Sequence, residues 1–118
     1  MEKFRELKVW QKAHQLSLEV YRATAKFPDM ERYGLVSQMR RAAVSVVANI
    51  VEGTKRRTSA DRVHYHCIAE GTLEELKYYF ILSVDLRFLI NIDGDKLTVL
   101  AREVGATLNG LSRSLKDQ

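Results

Sequence analysis

The densest concentration of chemistry in this 118-residue sequence is cationic. Lys55, Arg56, Arg57 and Arg62 fall within the segment KRRTSADR, and Arg40 and Arg41 stand on the stretch leading to it. Guanidinium and ammonium groups so spaced suit phosphate, because each neutralised phosphate releases condensed counterions. A solvated loop held by structural ion pairs has the same composition. No aromatic side chain interleaves with the cluster. Contact with RNA or DNA through Arg41, Lys55, Arg56, Arg57 and Arg62 is therefore expected to follow backbone or RNA shape and not base sequence.

Other constellations point away from catalysis. Gln38, Arg41, Ser45, Asn49 and Glu52 recur at helical spacing as a polar strip. Such a strip satisfies buried polar groups between helix ends or subunits more readily than it forms a reactive centre. His64, His66 and Cys67 invite a metal, but residues two apart on a helix diverge by about 200° and do not converge on one ion. His64 with Cys67 supplies two ligands, short of a closed site. Glu74 and Glu75, adjacent on a helix, suit salt bridges better than acid/base work. Glycine-rich phosphate loops, zinc-protease and nucleophile-elbow patterns are absent, as are the Glu-x-x-His pairs of a di-iron bundle. No metal, no cofactor and no enzymatic activity are expected.

The elements that must position these residues are helices. Leu, Ala, Arg, Lys and Glu dominate, glycine is scarce and Pro28 is the only proline, a composition that loses little rotamer freedom in helical geometry. The first helix is predicted from about Leu7 to Lys26, ended by Phe27-Pro28. DMERYG makes a short turn into a second helix from Leu35 to Gly53, with Gly53 as a left-handed stop. A third helix is expected from Ser59, its hydroxyl capping free N–H groups, to about Leu89. Gly71 within it calls for close approach by a neighbouring backbone, and Cys67 suits a small buried thiol. Asn91 to Asp95 are read as a turn, and Leu97, Leu100, Val104, Leu108, Leu111 and Leu115 as the single stripe of a fourth helix weakened at its end by Gly105 and Gly110. The expectation is one all-α domain over residues 1–118, an antiparallel up-down-up-down four-helix bundle.

The second helix carries more apolar surface than one core requires. Leu35, Met39, Ala42, Ala43, Val46 and Ile50 form one stripe at about 100° per residue. Val36, Val44, Val47, Ala48 and Val51 extend it around the back, interrupted by Arg40. A helix apolar on two sides is covered twice. In so short a chain the second cover is expected from another copy, with Val36, Arg40, Val44, Val47 and Val51 at the interface and Arg40 paired to a carboxylate across the boundary. Tyr78, Tyr79, Phe80 and Phe88 are assigned to core and interface.

Charge is uneven along the chain. Residues 1 to 62 hold 13 basic against 7 acidic side chains, and the remainder 6 against 8. This permits an anionic partner without demanding one. The single cysteine, a charged N-terminal stretch and the lack of a bilayer-length apolar run lead to the expectation of a soluble, cytoplasmic protein with no membrane partner.

The succession FRELKVWQKA, FPDMERYGL, SQMRRAAVSVVANIVEG and IAEGTLEELKYY resembles the bacterial four helix bundle family, also called 23S rRNA intervening-sequence or S23-type proteins. Gln38, Arg40, Arg41, Ala42, Ser45, Asn49, Glu52 and Gly53 stand at the family's spacing, as do Trp10, Pro28, Gly34 and Glu75. The resemblance covers essentially the whole chain. It implies a left-handed bundle assembling into a ring of five, similar to the accessory protein of diversity-generating retroelements, which acts with a reverse transcriptase and binds nucleic acid. Two roles follow as expectations: a homo-oligomer, pentameric by resemblance, that contacts RNA or DNA, or a scaffold that docks another protein such as a polymerase.

Overall fold

In the computed structural model, which describes residues 2–116, four helices account for most of the chain: α1 (Lys8–Thr24), α2 (Leu35–Gly53), α3 (Ser59–Asp85) and α4 (Asn91–Lys116). Single turns of 3-10 helix at Lys3–Glu6 and Asp29–Glu31 precede α1 and α2. Each helix packs against its neighbours in sequence and α1 closes against α4, giving the antiparallel all-α four-helix bundle. The apolar YYFILSV segment lies within α3, and no strand occurs among the described residues.

The core stripe of α2 is buried as read from the sequence: Leu35, Met39, Ala42, Ala43, Val46 and Ile50 lie inside with Leu16, Val20, Leu73, Leu76, Phe80, Val104 and Leu108. Its second apolar flank has a different explanation. Val36 is buried and Val47 half-buried against the same core. Ser17 on α1 donates to the Ala43 carbonyl of α2 at 3.2 Å, which draws the two helices together along this side. Part of this second flank is thus covered within the subunit, and Val36 is withdrawn from the interface set, while Val44 and Ala48 stay exposed. Arg40 needs no carboxylate from another copy either. Its Nε donates to Thr24 Oγ1 at 2.9 Å and its Nη2 to the Tyr21 carbonyl at 3.2 Å, with the guanidinium 4.5 Å from the Tyr21 ring centroid. Carbonyl, hydroxyl and aromatic face together partner the cation within one subunit.

Helix ends depart from expectation in instructive ways. Thr58, not Ser59, caps α3, its Oγ1 accepting from the Asp61 N–H at 3.1 Å. Gly53 is not left-handed; a Cβ there would stand 3.3 Å from Tyr65 Cβ, so its smallness serves the crossing of α2 over α3. At the other end of α3 the Phe88 N–H reaches the Ser83 carbonyl and the Arg87 N–H the Val84 carbonyl, each at 2.9 Å. That paired pattern is the Schellman stop, and it places Arg87 at φ 64°. The helix therefore ends four residues before Leu89, and the segment read as a turn, Asn91 to Asp95, is the first turn of α4. Gly94 makes the close approach there: a Cβ would lie 2.7 Å from Val84 Cγ2. Gly71 has open space around it instead, and Cys67 is exposed. On α4, Leu97, Val104 and Leu108 are buried, whereas Leu111 is exposed and Ser112 takes the inward position. Despite Gly105 and Gly110 the helix continues to Lys116. Of the aromatic set, Phe80 is buried and Phe88 packs on Phe27 with centroids 5.6 Å apart, but Tyr78 is exposed.

Candidate nucleic-acid interface

The basic residues meet where α2 ends and α3 begins. Carbonyls left free by the last turn of α2 are taken up locally: Thr54 N–H and Oγ1 both donate to the Val51 carbonyl, Lys55 N–H to Glu52 and Arg56 N–H to Gly53. The turn is thereby wound tightly, with Lys55 and Arg57 exposed and Arg56 half-buried between them.

These cations are not equivalent. Arg56 is engaged: its Nη2 lies 3.4 Å from Glu52 Oε2 and its guanidinium 5.4 Å from the centroid of the Tyr65 ring, with Nε enclosed and without a hydrogen-bond partner. Arg62 donates from Nε to the Arg56 carbonyl at 2.9 Å, bracing the turn from the first turn of α3. Lys55 and Arg57 are exposed and enter no ion pair among the described residues. Arg41 is not gathered with them. It points out from α2 twelve residues before Gly53, about 18 Å along the axis. The free charge of the turn is thus carried chiefly by Lys55 and Arg57, with Arg56 and Arg62 holding its shape.

One neighbour escaped the sequence reading as anything but a metal ligand. His66, one turn beyond Arg62, sets Nδ1 3.0 Å from Ser112 Oγ and so ties α3 to α4 beneath the basic turn. Burial, and secondarily the Arg62 charge, lowers its pKa below the usual 6.5. The available signal was Ser112 following Val104 and Leu108 at intervals of four, an inward position occupied by a hydroxyl. His64 turns elsewhere, edge-on to Tyr65 at 5.6 Å, and no group of three or more His, Cys, Asp or Glu able to hold a metal ion occurs among the described residues. In the polar strip, Asn49 Nδ2 donates to the Ser45 carbonyl at 2.8 Å and lies 3.2 Å from its hydroxyl. Glu52 serves Arg56, while Gln38 and Arg41 remain exposed. The strip is a row of local contacts and does not converge on a point.

The remaining interface candidates face outward between α1 and α2. Val44 is 47% exposed, and Leu18 and Tyr21 of α1 are 41% and 44% exposed. The Ser17–Ala43 bond and the stacking of Arg40 on Tyr21 place them side by side. Val47 and Val51 lie half-buried at the margin of this patch. No described helix is long and apolar enough to cross a membrane.

A bundle of this topology, with a cationic turn at one end and an apolar flank between its first two helices, defines an all-α helical-bundle protein. The chain belongs to the 23S rRNA-intervening sequence protein family, whose model matches residues 5–110. Among solved structures it is similar to a protein of unknown function from the S23 ribosomal protein family of Bacteroides thetaiotaomicron. The two share 18% identity and superpose with a TM-score of 0.79 over 88% of this chain and 97% of that one. A likeness at that identity establishes the fold. No curated protein matches the chain.

Proposed function

We propose that this protein is a non-enzymatic, self-assembling cytoplasmic module that contacts RNA or DNA through the turn between α2 and α3. The observation that carries this reading is the pair of exposed cations, Lys55 and Arg57, that enter no ion pair among the described residues, on a turn braced by Arg56 and Arg62. Copies joined through the α1/α2 flank repeat this pair around a ring, five-fold by family resemblance. Individually weak phosphate contacts then add through raised effective concentration.

Retention of a structured RNA on filters across a salt series tests the reading. Affinity falls steeply with salt, and Lys55→Ala or Arg57→Ala each flattens the log–log slope by about one phosphate per contact removed. Salt-independent retention, or a double variant that binds as the parent does, overturns it. A stoichiometric protein that stays bound after nuclease and high salt, with no RNA retained, supports the scaffold role instead.

A further inference from the structure

Contacts between the helices set a common level near one end of the bundle. Ser17 of α1 meets Ala43 of α2, which in antiparallel helices brings Lys8 level with Glu52. A Cβ on Gly53 would touch Tyr65 and His66 of α3, and His66 meets Ser112 of α4. At or beyond that level stand residues 2–8, 52–66 and 112–116. They add Lys3, Arg5, Lys8, Arg113 and Lys116 to the four cations of the α2–α3 turn, against Glu2, Glu6, Glu52 and Asp61. Asp117 follows in sequence, outside the described residues; with it counted, nine cations face five carboxylates here and ten face ten elsewhere. The whole formal net charge of +4 therefore belongs to this end. All nine cations but Arg56 are exposed, and Arg56 is the one that enters an ion pair. We propose that this entire end is one surface for a nucleic-acid duplex, gripped by its phosphates, in which the N-terminal segment and the last turn of α4 act with the α2–α3 turn.

Helix electrostatics explain only part of this gathering. Arg113 and Lys116 close α4, where a cation complements the helix dipole. Lys8 opens α1, where the dipole favours a carboxylate and the first turn holds none. Lys3 and Arg5 precede it on a 3-10 turn fastened by Gln11 Nε2, which donates to the Arg5 carbonyl at 2.9 Å. Glu2 and Glu6 offset some of that charge, yet three cations stand at a helix end whose own field opposes them. An anion from outside accounts for them. Charge spacing then favours a duplex over a single strand. The bundle is 25 by 21 Å across, a width that meets about seven phosphates of one strand at 3.4 Å each and about twice as many of a duplex. Nine cations exceed the first number and not the second. Rings at this end are also engaged already, which leaves little for unpaired bases to stack on. Trp10 is stacked on His14 at 4.9 Å with the Arg5 guanidinium 5.9 Å from its centroid, and Phe4 tilts against it at 5.6 Å. Tyr65 lies under Arg56, and the exposed His64 is edge-on to Tyr65. The proposal rests on the reading that the α2–α3 turn contacts nucleic acid, and names the form of partner and the further residues that hold it.

Fluorescence anisotropy of the full chain with labelled RNA and DNA duplexes of about 15 base pairs, long enough to cross the face, tests this across a salt series beside oligouridine of equal length. One or both duplexes bind more tightly than oligouridine, with the steeper log–log slope, and the tighter of the two names the partner. Lys3→Ala with Lys8→Ala, and separately Arg113→Ala with Lys116→Ala, each flatten the duplex slope by about two and weaken binding several-fold at unchanged helicity. Lys26→Ala with Lys96→Ala removes the same charge from the opposite end and leaves slope and affinity as in the parent. If Lys55→Ala with Arg57→Ala weakens binding while the two new pairs bind as the parent does, this surface is overturned and the turn alone stands. Oligouridine held as tightly as the duplexes overturns the proposal, as does an equal loss from the opposite-end pair. A parent that shows no salt-dependent binding removes this surface and the turn together.

Discussion

Arg87 and His66 show how much a single side chain can reveal that a composition does not. The left-handed backbone at Arg87 strains any residue with a Cβ, while glycine meets the same Schellman geometry freely. Replacing it by glycine is expected to stabilise the bundle by about 1 kcal/mol, read as a raised urea midpoint at unchanged slope. His66 makes stability depend on pH. Because burial and Arg62 lower its pKa in the folded state, the folded protein binds fewer protons than the unfolded chain as pH falls below 6.5. Stability is therefore full above that value and declines as pH drops through it toward the folded value. Urea midpoints at pH 7.5 and pH 5 are expected to differ, and His66→Gln narrows the difference. A third comparison separates two arginines one residue apart. Arg57→Ala changes phosphate binding alone, whereas Arg56→Ala also removes the contacts to Glu52 and Tyr65 and loosens the turn.

Glycines separate what the helices require from what they merely tolerate. Gly94 faces Val84, a β-branched residue with little rotamer freedom, at a distance no Cβ accepts. Gly94→Ala is expected to cost about 1–3 kcal/mol as α3 and α4 are forced apart. Gly71 stands in open space, and Gly71→Ala is expected to gain about 1 kcal/mol from helix propensity. Thermal midpoints of the two variants should move in opposite directions. The sequence made the span and core stripe of α2 legible, because apolar spacing there follows one period up to Gly53, although Gly53 serves the crossing with α3 and is not a left-handed stop. It concealed the stop of α3, since the usual glycine signal is missing and the left-handed residue is an arginine. Thr58 and Ser59 offer the same hydroxyl one position apart, so spacing alone does not tell which of them caps α3. In the candidate site the proximity of Lys55, Arg56, Arg57 and Arg62 was readable from adjacency. That Arg56 is engaged and Arg41 remote was not, as both depend on where Tyr65 and the axis of α2 fall in space.

At the scale of the whole molecule, the wide apolar arc of α2 is resolved into two parts. One is covered within the subunit, where Val36 is buried and Arg40 is held by Thr24 and Tyr21 of α1; the other, around Val44, Leu18 and Tyr21, is exposed in a single copy. A charge introduced by Val44→Asp is expected to lower the oligomeric mass toward the 13.6 kDa subunit without loss of helical signal. Unfolding instead would assign Val44 to the internal core, and an unchanged mass would remove this flank from the assembly. An even number of antiparallel rods also returns the chain to the side from which it set out. Residues 2 and 116 accordingly lie at the same end of the bundle as the cationic turn. A bulky purification handle fused at either position would crowd that surface and mask polyanion binding. A dye on Met30→Cys, with Cys67→Ser to remove the exposed native thiol, would sit at the far tip and leave that surface unobstructed.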